Sequence, residues 1–293
     1  MKKVLCLVAL MATCSSMAAS GVDEEYDVNE ASSNPAVSTS NYSFPTAVTA
    51  ALYSNGSLVN GVGTGAGGLD ESILQNNTLA MNSLGAAHSI GSGFRVADDF
   101  AITGPDWNIT DITFYAYQTN EVASTITAVN LRIWDGVPGA AGSNIVFGDD
   151  TTNIMTSTVN SNILRVAENT TGTATNRQIA ASDVAVNITL PAGTYWLDWQ
   201  VDGSGASGPW APPITITGQV TTGNALQFNG GAGTWDNFQD SGTNTDQGLP
   251  FIIQGTIAAV LAPPTPVPAV NWIGLALLLM MLTFFSRKFL IKQ

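Results

Sequence analysis

The segment Thr194–Asp202 reads TYWLDWQVD, and its side chains alternate in a period of two. Because successive side chains of an extended strand point to opposite faces, this period predicts a β-strand with one face in a core. The face predicted to lie in the core carries Tyr195, Leu197, Trp199 and Val201. The opposite face, which we expect at the surface or beneath a loop, carries Trp196, Asp198, Gln200 and Asp202.

The same alternation recurs along the middle of the chain, where Gly, Asn, Asp and Pro interrupt it at short intervals. This arrangement is typical of antiparallel strands joined by turns. Before the C-terminal segment, Ser72–Gly85 is the one segment whose pattern predicts a short helix. We therefore predict an all-β fold, an antiparallel two-sheet sandwich of jelly-roll-like type, over residues 56–257. The other predicted strands lie in 94–102, 109–118, 128–136, 161–168, 184–191, 214–220, 224–230 and 250–257.

The charges are distributed unevenly. All 22 acidic residues lie in the interior of the chain, where the only cations are Arg95, Arg132, Arg165 and Arg177. The 22 acids less these four arginines leave a net charge of 18 negative units on the interior. Such a surface repels nucleic acid, which we therefore do not expect as a partner.

The N-terminus has the three parts of a secretory signal. Lys2 and Lys3 precede a short apolar run, and small residues follow it, so we predict a signal peptide over residues 1–19. Export machinery and a signal peptidase are then partners. Cys14 leaves a lipoprotein signal open as an alternative. Both cysteines, Cys6 and Cys14, fall in this segment, so the exported part would carry no thiol.

Residues 20–55 are poor in bulky aliphatic side chains, and we predict a mostly disordered leader there.

The C-terminus also reads as a transport element. A proline-rich linker over 258–268 precedes an apolar stretch over 269–286, which we predict to be a transmembrane helix. The basic residues of 287–293 would place that tail in the cytoplasm and the folded domain outside. A permanent anchor in the inner membrane and a signal that is cleaved after sorting are both compatible with this pattern.

The C-terminal pattern resembles the IPTL-CTERM type of sorting signal of Gram-negative bacteria. The resembling residues are Val267, Pro268 and Gly274, followed by Arg287 and Lys288 after the apolar stretch. The resemblance implies recognition by a membrane-embedded sorting protease and delivery to the cell surface or extracellular matrix. The segments VADDF, LRIWDGVPG and GTYWLDW resemble a group of bacterial secreted proteins, which implies a β-sandwich but no particular activity.

Carbohydrate binding is the most specific function that the residues suggest. Sugars stack their C–H faces on aromatic rings and direct hydroxyl groups to carboxylates and amides, so exposed tryptophans beside polar groups point to them. The predicted ligand-binding residues are Trp196, Asp198, Gln200, Trp210, Trp235 and Asp236. The alternative is that these indoles cap the ends of the core.

Calcium is the one cofactor that the residues suggest. Aspartates at strand ends and in loops offer the oxygen ligands that Ca²⁺ prefers, and the candidate ligands are Asp98, Asp99, Asp149 and Asp150. Alternation turns one member of the Asp98–Asp99 pair inward, where it could instead accept backbone hydrogen bonds.

No catalytic residues are predicted. His88 is the only histidine, it lies in a Gly- and Ser-rich segment that predicts a solvated side chain, and no GxSxG motif occurs. A hydrolase built on two carboxylates stays open, because any two of the 22 acids could converge. The expected function is a structural or binding role at the cell surface, with a polysaccharide as the candidate partner.

Overall fold

A computed structural model describes residues 23–27, 51–259 and 272–290, with side chains up to residue 287 in the last range. The predicted signal peptide, most of the leader and the proline-rich linker lie outside these residues. The chain divides into two compact units, residues 1–258 and 259–293.

The described residues of the first unit are mostly β, as predicted. Within 51–258, three short 3₁₀ turns interrupt the strands, at Ala66–Gly68, Ile90–Ser92 and Glu168–Thr170. The strands are β1 (Glu24–Glu25), β2 (Ala51–Ser54), β3 (Asp70–Leu74), β4 (Ser83–Ala87), β5 (Phe94–Ile102), β6 (Trp107–Ala116), β7 (Ile126–Trp134), β8 (Ile145–Gly148), β9 (Met155–Ala167), β10 (Gln178–Leu190), β11 (Gly193–Gly203), β12 (Trp210–Ala211), β13 (Leu226–Asn229), β14 (Thr234–Asn237) and β15 (Phe251–Ile257).

Two six-stranded sheets form the sandwich. The first sheet has the order β2-β15-β6-β10-β9-β3, and the second has the order β14-β13-β5-β11-β7-β8. All pairs are antiparallel except β3 with β9, which are parallel. A third, small sheet has the order β1-β4-β12.

The core lies between the two large sheets. Phe114 of the first sheet stacks on Trp199 of the second with ring centroids 4.7 Å apart, and Phe251 meets the same indole edge-on at 6.3 Å. Tyr195, Leu197, Trp199 and Val201 are all buried in this cluster, which confirms the core face predicted for β11. Stacked aromatic pairs add to the free energy gained by burying the rings themselves.

Several predicted elements are wrong. The segment Ser72–Gly85 forms no helix, because it supplies part of β3 and β4. Residues 214–220 form no strand, because their backbone bonds to two separate loops, at Ser57 and Gly248, and to a side chain instead of pairing along one neighbouring strand. The Gln75 side chain donates to the carbonyl oxygen of Ile216 (2.9 Å) and accepts from the N–H of Gly218 (2.7 Å).

Part of the segment predicted as a disordered leader is structured. Strand β1 pairs with β4, and the Glu24 carboxylate forms an ion pair with Nε of Arg177 at 2.9 Å. Strand β2, which pairs with β15 at the edge of the first sheet, also begins before the predicted domain boundary at residue 56. Both strands are short, with two residues in β1 and four in β2, so neither shows a clear alternation, and pairing with a neighbouring strand stabilises them.

The described residues 272–290 of the second unit form a helix, α1 (Trp272–Leu290), which covers most of the segment predicted as a transmembrane helix over 269–286. Within the described ranges, no helix is both long and apolar enough to cross a membrane. Of the sorting-signal residues, Gly274, Arg287 and Lys288 lie on α1, whereas Val267 and Pro268 fall outside the described residues.

A buried aspartate links the two sheets. Oδ2 of Asp98 on β5 accepts from the side chain of Asn55, just after β2 (2.8 Å), and from the N–H of Leu249, just before β15 (2.7 Å). Burial raises the pKa of Asp98 to about 7, although these donors oppose the shift.

This pKa predicts that stability falls as pH rises. In the unfolded chain the Asp98 carboxyl titrates near 3.8, so folding favours its protonated form, and that contribution is lost as pH rises through about 7. We expect the full chain to melt about 5 °C higher at pH 5 than at pH 8, because each kcal/mol of unfolding free energy shifts the Tm of a domain of this size by about 2–4 °C.

Asp98→Asn should shrink this difference in melting temperature, and Asp99→Asn, on the neighbouring residue of the opposite face, should retain it. Asp23, whose pKa burial raises to about 6, contributes in the same direction, so a residual slope is expected in Asp98→Asn. Equal pH dependence in the wild type and Asp98→Asn would contradict the assignment.

Candidate binding surface on the outer face of the second sheet

The outer face of the second sheet carries the polar side chains of its three central strands. Strand β11 lies between β5 and β7, with Asp198 opposite Ala97 on one side and opposite Arg132 on the other. Trp196, Asp198 and Gln200 are buried although they point away from the core. Of the two outcomes expected for this face, exposure or cover by a loop, the structure shows cover.

Asp198 is at the centre of this face, and its carboxylate is fully buried. Oδ1 accepts from Nε of Arg95 at 3.0 Å, Oδ2 accepts from the indole Nε1 of Trp134 at 3.1 Å, and Nη1 of Arg132 lies 3.9 Å from Oδ2. Burial raises the pKa of Asp198, while the two guanidiniums and the indole oppose that shift. Three donors thus compensate a charge that would be costly to bury alone.

A second carboxylate contacts the same two arginines from above the sheet. Asp150 lies in the loop between β8 and β9, and its Oδ2 contacts Nη2 of Arg132 and lies 3.7 Å from Nη1 of Arg95. Its side chain is 34% exposed, whereas that of Asp198 is 0% exposed. The backbone carbonyl of Asp150 accepts from the side chains of Asn130 (2.8 Å) and Gln200. Two arginines and two aspartates therefore form a charge-balanced network.

Aromatic rings border this network. The guanidinium of Arg95 lies 4.0 Å from the ring centroid of Phe228 and 5.3 Å from that of Trp235. The two rings belong to the hairpin β13–β14 and are 5.2 Å apart. Both are half-buried, so part of each ring surface reaches solvent. Arginine over an aromatic face is a favourable pairing, and it fixes the guanidinium beside the rings.

The loop between β7 and β8 crosses this face. A Cβ atom on Gly139 of that loop would lie 3.2 Å from Cδ1 of Trp235, so the loop packs against the indole. Strand β14 is at one edge of the sheet and β8 is at the other, so contact with Trp235 carries the loop over the central strands. Trp196 lies on this same outer face and is buried.

The structure brings together only part of the predicted carbohydrate set. Trp196, Asp198, Gln200 and Trp235 share the outer face, and all but Trp196 contact members of the arginine network. Trp210 lies in the small third sheet, packs against a separate buried cluster and donates to Oγ of Ser207. Asp236 is exposed and follows Trp235 on the opposite face of β14.

The predicted ligand chemistry also needs correction. Asp198 and Gln200 are buried and already bonded within the protein, because the carboxylate accepts from Arg95 and Trp134 and the Gln200 amide N–H donates to the Asp150 carbonyl. Asp150 and Asp198 both contact the same guanidiniums, so neither is placed as the acid of a two-carboxylate hydrolytic site.

The calcium prediction is not supported. Asp98 and Asp99 point to opposite faces of β5, and Asp150 binds the arginines. Asp149 accepts from the N–H groups of Thr151 and Thr152 and from both hydroxyls, and these bonds hold its pKa well below the usual value. Among the described residues, no group of three or more carboxylate, histidine or cysteine side chains converges on a metal-sized site.

The histidine prediction is wrong. His88 is fully buried, and its Nδ1 lies 3.2 Å from the carbonyl oxygen of Pro209. Burial holds the pKa of His88 at about 3, so the imidazole is neutral at physiological pH.

Sequence reasoning missed Arg95, Arg132, Trp134 and Phe228. A signal was available for the two arginines, since they are two of only four cations in the acidic interior, and both occupy strand segments. Their position on the same face as Asp198 depends on strand order, which the alternation does not give.

Comparison of this chain with protein-family models, with curated proteins and with solved structures finds no match.

Removal of the central carboxylate should destabilise the fold. In Asp198→Ala, two largely buried guanidiniums lose the buried one of their two shared carboxylates, and breaking a buried ion pair typically costs about 3–5 kcal/mol. Denaturant unfolding of the full chain measures this loss. Asp236→Ala removes an exposed aspartate with the same charge and should cost less than about 0.5 kcal/mol. Equal stability of the two variants would show that the network contributes little to folding.

Proposed function

We propose that this chain is an exported, non-catalytic binding protein whose β-sandwich holds saccharides on the outer face of the second sheet. The observation that carries the proposal is the pair of half-buried rings, Phe228 and Trp235, beside the Arg95 guanidinium on one exposed hairpin.

The chemistry of this surface suits a sugar. The apolar C–H face of a pyranose stacks on an indole or phenyl ring, and such rings remain partly exposed at binding surfaces. The neighbouring Arg95 is held by its ion pair with the buried Asp198, so a ligand meets a guanidinium that loses little side-chain entropy on binding.

Export and sorting form the second part of the proposal. The signal-like segment 1–19, the apolar segment 269–286 and the basic residues after it support transport through the inner membrane, with a signal peptidase and a sorting protease as partners. An acidic, lysine-free interior suits an extracellular protein that has to stay soluble. The repeated crossing of successive strands between the two sheets, as from β5 to β6 and from β6 to β7, supports the jelly-roll-like assignment.

A matched pair of tryptophan variants tests saccharide binding. On an immobilised set of polysaccharides, Trp235→Ala in the full chain should lose about tenfold in affinity, which corresponds to about 1.4 kcal/mol of stacking. Trp210→Ala removes a half-buried indole of another sheet and should bind as the wild type does, once unfolding midpoints show that both variants are folded. Equal binding by the two variants would remove Trp235 from the site.

Mass spectrometry of the protein recovered from cells tests the export proposal. We expect a mature N-terminus after residue 18 or 19 and recovery from the envelope or the medium. An intact 293-residue chain in the cytosol would contradict it.

A further inference from the structure

One carboxylate of the arginine network differs from the other in accessibility. Asp198 belongs to a central strand and is closed off from solvent, whereas the Asp150 side chain is one-third exposed and reaches the arginines from a loop. Of the two anionic partners of Arg95 and Arg132, only Asp150 can leave without unpairing a strand.

The loop keeps its shape without the Asp150 side chain. Asp149 closes a turn by accepting from the N–H groups of Thr151 (2.8 Å) and Thr152 (2.6 Å). The backbone carbonyl of Asp150 is held separately by Asn130 and Gln200. Rotation of the Asp150 side chain away from the arginines therefore breaks ion pairs but none of these loop-fixing bonds.

Arg132 has unused donor capacity. Its Nη1 and Nη2 atoms face the carboxylates of Asp198 and Asp150, while its Nε is buried without a hydrogen-bond partner among the described residues. A guanidinium has five N–H donors in a planar fork, and a carboxylate that engages two of them binds more strongly than one that engages a single donor.

We propose that Asp150 occupies the place of a ligand carboxylate, and that this surface selects a saccharide bearing a carboxylate, such as a uronic acid residue. The inference rests on the proposed saccharide binding. The ligand carboxylate replaces that of Asp150 on Arg95 and Arg132, so the charge balance of the network is kept, and the sugar ring stacks on Phe228 and Trp235.

The net negative charge of the protein further restricts the class of saccharide that can bind. The interior of the chain carries 22 acids and four arginines, and this excess of negative charge repels polyanions over a Debye length of about 8 Å at physiological salt. A saccharide with one isolated carboxylate meets the two arginines without the repulsion that a continuous polyuronate would meet. The ligand class is therefore an oligosaccharide with a single uronate residue and otherwise uncharged sugars.

Binding of two matched probes to the full chain tests the proposal. One probe is an oligosaccharide that ends in glucuronic acid, and the other is the same oligosaccharide ending in glucose. The wild type should bind the acidic probe at least threefold more tightly. Asp150→Asn removes the competing carboxylate and should raise affinity for the acidic probe about fivefold, with the neutral probe unchanged.

Asp236→Asn is the control, since it removes the same charge from an exposed residue next to Trp235 and should change neither affinity by more than about twofold. Arg132→Lys keeps the charge but removes the planar fork, and it should abolish the preference for the acidic probe.

The outcomes separate the two proposals. If neither probe binds, saccharide recognition at this surface fails and the inference fails with it. If both probes bind equally to the wild type and Asp150→Asn leaves both affinities unchanged, saccharide binding stands and the role of Asp150 is overturned. The comparison of the two probes on the wild type applies even if a variant does not fold.

Discussion

Strand β11 is buried on both of its faces, and much of the second sheet is arranged to satisfy that constraint. On the core side Trp199 stacks on Phe114 across the gap between the sheets. On the outer side the strand carries Asp198, a charge that cannot be buried without partners. The neighbouring strands supply those partners, because Arg95 of β5 and Arg132 of β7 lie on the same face and within reach. A single central strand thus sets the composition of its two neighbours.

The covering loops follow from the same constraint. Exposure of the apolar ring of Trp196 to water would lower the stability of the folded protein. Loops that cover the ring and bring further polar partners to the carboxylate raise that stability. The loop between β7 and β8 packs against Trp235, and the loop between β8 and β9 contributes Asp150. Both loops flank β8, the short edge strand of this sheet, so one edge hairpin and its connections close the outer face and also define the surface proposed for binding.

Polar contacts also fix the periphery of the domain. Arg165 is buried and donates to the backbone carbonyl oxygens of Ser72, Ser83 and Leu84, which joins β9 to β3 and to β4 of the third sheet. Glu24 binds Arg177 and attaches β1 to the same region. The four arginines of the interior therefore all serve as internal connectors between strands, and none of them is a solvated surface charge. An acidic protein that lacks lysine in its interior uses its few cations where carboxylates and carbonyls need them.

The sequence by itself determined the class of fold and the two faces of its central strands, because the period of two in segments such as TYWLDWQVD assigns every side chain to one side or the other. It also predicted that one of Asp98 and Asp99 points inward, and in the structure that residue is Asp98, which is buried and accepts backbone and side-chain hydrogen bonds. Only the tertiary structure decided what covers the outer face, which arginines meet Asp198, and that Trp210 and Trp235 belong to different sheets. The physical reason is that alternation is a local property, whereas strand order and loop paths join residues about 50 to 150 positions apart, as with Asp150 or Arg95 and Asp198. Short strands such as β1 and β2 were missed for the same reason, since pairing with a neighbouring strand stabilises them.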